Sequence, residues 1–335
     1  MRIEFPYLLF LGDARDQLAA KTADGVARWR RERCVGQLRL PGCQADVGLT
    51  DLTLEQAAAA GARTLVVGVA NRGGRIGSGW EPTLLRALDL GMDLASGLHE
   101  RLSASPAVAE AAARLGRRLF DVRLPDREFE VGTGLPRQGH RLLTVGTDCS
   151  VGKMFTALAI EREMRARGWL ADFRATGQTG ILIAGGGVSV DAVVADFISG
   201  ATEWLCPAAA EPDHWDVVEG QGSLFHASYA GVSLGLLHGA QAEALVMCTE
   251  PFRPHMRGLP HRALPDLAEC IALNEACARL TQPAARVIGL SANTASLDDD
   301  AARRVLADMA DRFGLPAVDP LRTGVAAIVD ALAAP

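Results

Sequence analysis

The eight residues Gly146-Thr147-Asp148-Cys149-Ser150-Val151-Gly152-Lys153 constrain this chain more than any other segment. They match G-x-x-x-x-G-K, a loop that needs a buried strand before it and a helix after it. Both are legible here. Arg141 to Val145 is a short apolar run, and a helical pattern extends from Lys153 to about Arg167, with Gly168 placed where a glycine stops a helix. Consecutive backbone N–H groups, a helix N-terminus and a lysine ammonium together form an anion cradle. The sequence therefore predicts a function built around a small molecule that carries phosphate, with Gly146, Thr147, Asp148, Cys149, Ser150, Val151, Gly152, Lys153 and Met154 lining its site.

Met154 departs from the nucleotidase pattern. Such enzymes carry Ser or Thr here, whose hydroxyl holds Mg²⁺. A thioether is a poor ligand for that hard cation. Either other groups hold the metal, or the bound phosphates do not depend on it. Lysine usage points to the same loop. Of 34 basic residues only Lys21 and Lys153 are lysine, so each is a candidate for a task that needs a compact point charge. A chance surface lysine is the alternative for Lys21.

Short β-branched runs alternate with helical stretches, which predicts an α/β chain with parallel sheets. Strands are expected at Tyr7 to Gly12, Thr64 to Val69, Arg141 to Val145, Ala171 to Ala175, Trp215 to Glu219, Ala244 to Cys248 and Arg286 to Leu290. Helices are expected at Pro82 to Leu90 and Ala107 to Arg118. The Pro-, Gly- and charge-rich stretch from Asp121 to His140 reads as a linker, which divides the chain into domains at 1–130 and 131–335.

With 335 residues, 49% of them hydrophobic, the chain can fill two ordinary globular cores. A net charge of −6 gives no basic footprint for nucleic acid or a membrane surface. Met1 to Asp16 does not read as a signal peptide, so a cytoplasmic location is expected. The 7 cysteines show no C-x-x-C pair and the 7 histidines no spacing that sets two ligands on one helical face, so no metal site is expected.

Val217-Val218-Glu219-Gly220-Gln221-Gly222 is an apolar strand ending in an acid and a glycine turn, where a P-loop fold places an acid facing the phosphates. Glu219 is thus a candidate metal holder through water or general base, with a capped strand end as the alternative. His226 is a candidate proton shuttle or a structural histidine, and Lys153 counts as catalytic as well as phosphate-binding. Gln178, Asp191, Arg253 and Lys21 are candidate substrate-binding residues; a turn, a helix cap and solvated surface are the alternatives for the first three. Cys149, near a helix N-terminus, is either an activated thiol or an ordinary loop residue. Asn293 either reads a nucleobase or ends a strand.

The P-loop and Val217 to Ser223 locally resemble dethiobiotin synthetase and related amidoligases. Over nearly the whole chain the sequence resembles the D-glutamate N-acetyltransferase (DgcN-like) family, once known only as a domain of unknown function. The resemblance is carried by Lys21-Thr22-Ala23 with Gly25, Ser96-Gly97-Leu98-His99, Gly146 to Met154, Ala175 to Gly180, Val218 to Ser223 and Leu237-His238-Gly239. It implies a Rossmann-like N-terminal domain joined to a P-loop NTPase-like α/β domain. It also implies acetyl transfer from acetyl-CoA to the amino group of D-glutamate; for that reaction Glu219 or His226 is the candidate base, and Arg253 or Arg72 is a candidate partner of the substrate carboxylates. The coenzyme's phosphates suit a P-loop without the Mg²⁺ hydroxyl. The family pattern has His where Thr249 stands here, which puts substrate or rate in question. An ATP- and Mg-dependent amidoligase or kinase and a catalytically silent nucleotide sensor are the competing readings. A homo-oligomer is expected, since P-loop proteins of this kind often build sites at dimer interfaces.

Overall fold

The computed structural model describes residues 2–70 and 74–333. Arg72 lies outside the described residues. In chain order the elements are β1 (Tyr7–Gly12), α1 (Lys21–Trp29), β2 (Cys34–Arg39), α2 (Leu54–Ala59), β3 (Thr64–Val67), α3 (Glu81–Asp89), β4 (Asp93–Ser96), α4 (Pro106–Leu115) and β5 (Leu119–Asp121). They continue with β6 (His140–Gly146), α5 (Lys153–Ala166), β7 (Ala171–Arg174), α6 (Gln178–Ala184), α7 (Ile198–Leu205), β8 (Trp215–Val218), α8 (Ala230–Ala240) and β9 (Ala244–Thr249). The last are α9 (Leu267–Ala278), β10 (Arg286–Ala292), α10 (Asp299–Phe313), β11 (Ala317–Val318) and α11 (Ala326–Ala333).

Two compact units result. The first comprises Met1–Asp126 with Gly177–Ala192, and the second Arg127–Thr176 with Val193–Pro335. The first holds a five-stranded sheet of order β2-β1-β3-β4-β5, every pair parallel. Its central strands are apolar along their whole length because both faces are covered: Tyr7 to Leu11 and Leu65 to Val67 are all essentially inaccessible. α6 follows β7 in sequence yet belongs to this unit, where it packs on α1. Gly25 faces Thr179 and Ile183 of α6, with room for a Cβ in ordinary van der Waals contact at 3.4 and 3.5 Å.

The second unit is a six-stranded parallel sheet of order β11-β10-β9-β6-β8-β7. β6 lies between β8 and β9, so the loops that leave these three strands meet at one edge, the crevice where parallel α/β sheets bind ligands. The α/β class expected from sequence is the one found. Strands β2, β4, β5 and β11 are additional to those read from the sequence. Three of them are only two to four residues long, too short to show a period. No helix among the described residues is long and apolar enough to cross a membrane.

The stretch between β5 and β6 contains no helix or strand, but from Arg127 onward it is fastened to the second unit. Gly200 of α7 makes room for it: a Cβ there would fall 1.8 Å from the Glu130 carbonyl oxygen. The Glu203 carboxylate accepts hydrogen bonds from the N–H groups of Thr133 and Gly134. Arg137 then reaches between the C-terminal ends of α7 and α8, donating to the carbonyls of Glu203, Cys206, Gly239 and Ala240 and to the Gln241 side chain.

Candidate functional site

β6 ends at Gly146 and α5 begins at Lys153, so residues 147–152 form the loop expected between strand and helix. Gly152 adopts φ 103°, a left-handed conformation that a side chain would strain, and nothing obstructs the space beside it. Among the described residues, the N–H groups of Cys149, Ser150, Val151 and Gly152 donate to no protein acceptor. Thr147 is tied down instead, its N–H on the Cys248 carbonyl and its hydroxyl on Thr249 Oγ1 at 3.1 Å.

Lys153 is buried, and its Nζ donates to the carbonyl oxygens of Asp148 at 2.8 Å and Gly222 at 2.7 Å. Burial pushes its pKa below the ordinary lysine value, opposed by the fields of Cys248, Cys149, Asp148 and Glu219. An ammonium compensated mainly by neutral carbonyls, beside unused N–H donors, fits a bound anion.

Glu219 follows β8 and is buried; its Oε2 accepts the Thr176 N–H at 3.0 Å, while its carbonyl accepts the Thr176 hydroxyl at 2.6 Å. Gly220 explains how this turn comes so close to β6. Its N–H donates to Thr144 Oγ1, and a Cβ would lie 1.6 Å from the Thr144 carbonyl oxygen. The same turn supplies Gly222 O to Lys153 and the Ser223 hydroxyl to Thr147 O. The Glu219 turn and the P-loop are thus one assembly.

Asp148 is wholly buried. Its Oδ2 accepts from Arg253 Nη1 and from the Arg257 N–H, each at 2.7 Å. Arg253 also donates to the carbonyls of Cys149 and Ser150 and pairs with Glu250. In this arrangement Arg253 grips the outside of the P-loop, so its guanidinium shapes the cradle. The sequence alone did not single out Asp148 as an anchor, because its partners lie about a hundred residues away.

Asp148, Cys149 and His226 each place a potential ligand atom within 4.8 Å of the others. His226 Nδ1 accepts the Ser228 N–H at 3.1 Å, so its proton sits on Nε2, which donates to Arg257 O at 3.0 Å. Both ring nitrogens are committed, and the imidazole has no lone pair for a metal or a substrate proton in this conformation.

Burial raises the Cys149 pKa, with Asp148 adding to the effect against the opposing fields of Lys153, Arg257 and Arg253. Site-resolved alkylation with iodoacetamide is therefore expected to be slow for Cys149 at pH 7 and to accelerate as pH rises beyond the ordinary thiol range. Labelling at pH 7 as fast as that of a free thiol would contradict this. Asn293 Oδ1 accepts the Ala295 N–H, and the Asn293 N–H donates to Thr249 O, as in a strand-ending turn.

Lys21, Gln178 and Asp191 belong to the first unit, whereas the P-loop, Glu219, His226 and Arg253 belong to the second. Lys21 opens α1 and is exposed. The Gln178 Cβ and Cγ each lie 3.3 Å from where a Cβ on Gly97 would sit. Asp191 accepts the Ser189 hydroxyl at 2.7 Å and lies 3.9 Å from Arg123. It sits within a single 3₁₀ turn, with no α-helix starting there for it to cap.

Residues 130–329 match the P-loop domain, and residues 38–125 the Rossmann-like domain, of a family described as a domain of unknown function, DUF1611. The chain belongs to the DUF1611 family. A protein of this kind from Tritonibacter scottomollicae, named D-glutamate N-acetyltransferase, is 54% identical over 332 residues, covering 99% of each chain. One of the same name from a Pseudoalteromonas species is 49% identical over 329 residues, 98% of this chain and 99% of the relative. The crystal structure of a DUF1611 family protein from Anabaena variabilis superposes with a TM-score of 0.81 at 32% identity, covering 98% of this chain and 99% of that one. The two-domain organisation implied by the sequence resemblance is thus that of the DUF1611 family.

Proposed function

We propose that this protein transfers the acetyl group of acetyl-CoA to the amino group of D-glutamate, giving N-acetyl-D-glutamate and free CoA thiol. The observation that carries the reading is the 54% and 49% identity, spread over the full length of both chains, to proteins named for that reaction. The P-loop geometry supports the donor's identity. Unused N–H groups and the buried Lys153 ammonium suit the coenzyme's pyrophosphate, and Met154 in place of a hydroxyl is tolerable because acetyl transfer needs no Mg²⁺ between phosphates.

The substrate ammonium must first lose a proton. Its nitrogen then attacks the thioester carbonyl, the C–N bond forms, the C–S bond breaks, and the sulfur leaves as thiolate and is protonated. Glu219 is the base in this reading, being a buried carboxylate on the turn that also holds Lys153. Lys153 anchors phosphate, and Arg253 with Asp148 keeps the cradle in shape.

The test is thiol release from acetyl-CoA with D-glutamate as acceptor, in the absence of ATP and in the presence of EDTA. Release dependent on the acidic amino acid is expected. Silence with every acidic amino acid, or a requirement for ATP and Mg²⁺, would overturn the reading.

A further inference from the structure

The segment after β9 contrasts with the rest of the chain. Pro251 to Pro265 contains Arg253, Arg257, Arg262, His255 and His261 and no acid, in a protein of net charge −6. It is fixed to the P-loop by Arg253 on Asp148, Cys149 and Ser150, and by the Arg257 N–H on Asp148. Met256 is buried beneath it, and bonds from Met256 N to Arg262 O and from Arg262 N to Leu259 O close a tight hairpin that sets Arg257 beside Arg262. Both of these arginines are exposed, and among the described residues their side chains have no hydrogen-bond or ion-pair partner.

Phe252 stands immediately before the anchoring arginine. It adopts φ 67°, a costly conformation for a bulky L-residue, and leaves 75% of its surface exposed. Neither the strain nor the exposure benefits the folded chain. Both place an aromatic face in solvent at a position fixed by the P-loop.

We infer that the loop from Pro251 to Arg262 is the recognition surface for the adenosine 3′-phosphate end of the acyl carrier, with Phe252 stacking on the adenine and Arg257 and Arg262 holding the 3′-phosphate. The inference rests on the acetyl-CoA reading above. Aromatic faces stack on any base, and guanidinium forks match phosphate oxygens in pairs. The chemistry of the loop, one free aromatic and two free guanidiniums, corresponds to the groups that distinguish coenzyme A from its phosphopantetheine arm.

Three donors test it: acetyl-CoA, acetyl-3′-dephospho-CoA and S-acetyl-phosphopantetheine. The unaltered protein is expected to prefer acetyl-CoA over the dephospho donor by about tenfold in KM. In Arg257→Ala with Arg262→Ala that ratio should collapse towards one. Phe252→Gly removes the ring while relieving the backbone, so misfolding does not explain its effect. It should raise KM at least about fivefold for both adenine-bearing donors and leave the ratio between them intact, with the adenine-free donor little changed. Equal use of the first two donors by the unaltered protein, or wild-type ratios in the variants, overturns the subsite while the acetyl-CoA reading stands. No turnover of acetyl-CoA by the unaltered protein overturns both.

Discussion

Lys153→Ala is expected to lower kcat/KM for acetyl-CoA by about 100-fold or more while leaving the far-ultraviolet circular dichroism spectrum unchanged. A charge-assisted hydrogen bond to a phosphate contributes roughly 1.5–3 kcal/mol, and a desolvated one lies at the upper end of that range. Lys153→Arg should not rescue activity. The ammonium sits between two carbonyls at 2.7 and 2.8 Å, a space for a compact cation and not for a planar fork. Burial holds the Lys153 pKa below that of an ordinary lysine. Only the protonated form attracts phosphate, so acetyl-CoA affinity falls as pH rises through that lowered pKa, and the fall disappears in Lys153→Ala. Without ligand, the unfolded chain binds the proton more readily than the folded one between the lowered pKa and the ordinary value. Over that window this group makes stability increase with pH. Wild-type kcat/KM in Lys153→Ala would remove the P-loop from the donor site.

Arg137→Ala is expected to destabilise the second unit by about 2–3 kcal/mol, because one change strands several acceptors at two helix ends. The guanidinium satisfies carbonyls at the C-terminal ends of both α7 and α8, where the last turn of a helix lacks internal partners. The two helices are in close contact through Gly235 and Gly239, where added Cβ atoms would meet Ile198 and Ser199 at 2.8 and 2.3 Å. Arg137→Lys should recover only part of the loss, because an ammonium offers three donors from one point. The midpoint of urea unfolding, followed by near-ultraviolet dichroism, measures the effect. A midpoint unchanged in Arg137→Ala would show that the two helix ends find other partners.

The sequence by itself determined the α/β class, the P-loop and its flanking strand and helix, because each is a local pattern. Alternation of apolar strands with helices, glycine spacing around one lysine, and a strand ending in Glu219 all act within a few residues. It also exposed the chemical oddity of Met154, since a missing hydroxyl is read from one letter. What only the tertiary structure decided depends on partners distant in the chain. Arg253 looks like a free cation until the fold brings it to Asp148, 105 residues away. His226 looks like a proton shuttle until Ser228 and Arg257 occupy both its nitrogens. Gln178 follows a strand of the P-loop sheet, yet it folds with the first unit, because α6 packs against α1. Burial and hydrogen-bond partners are properties of the whole packed chain, and in the P-loop they set which donors remain available to an anion.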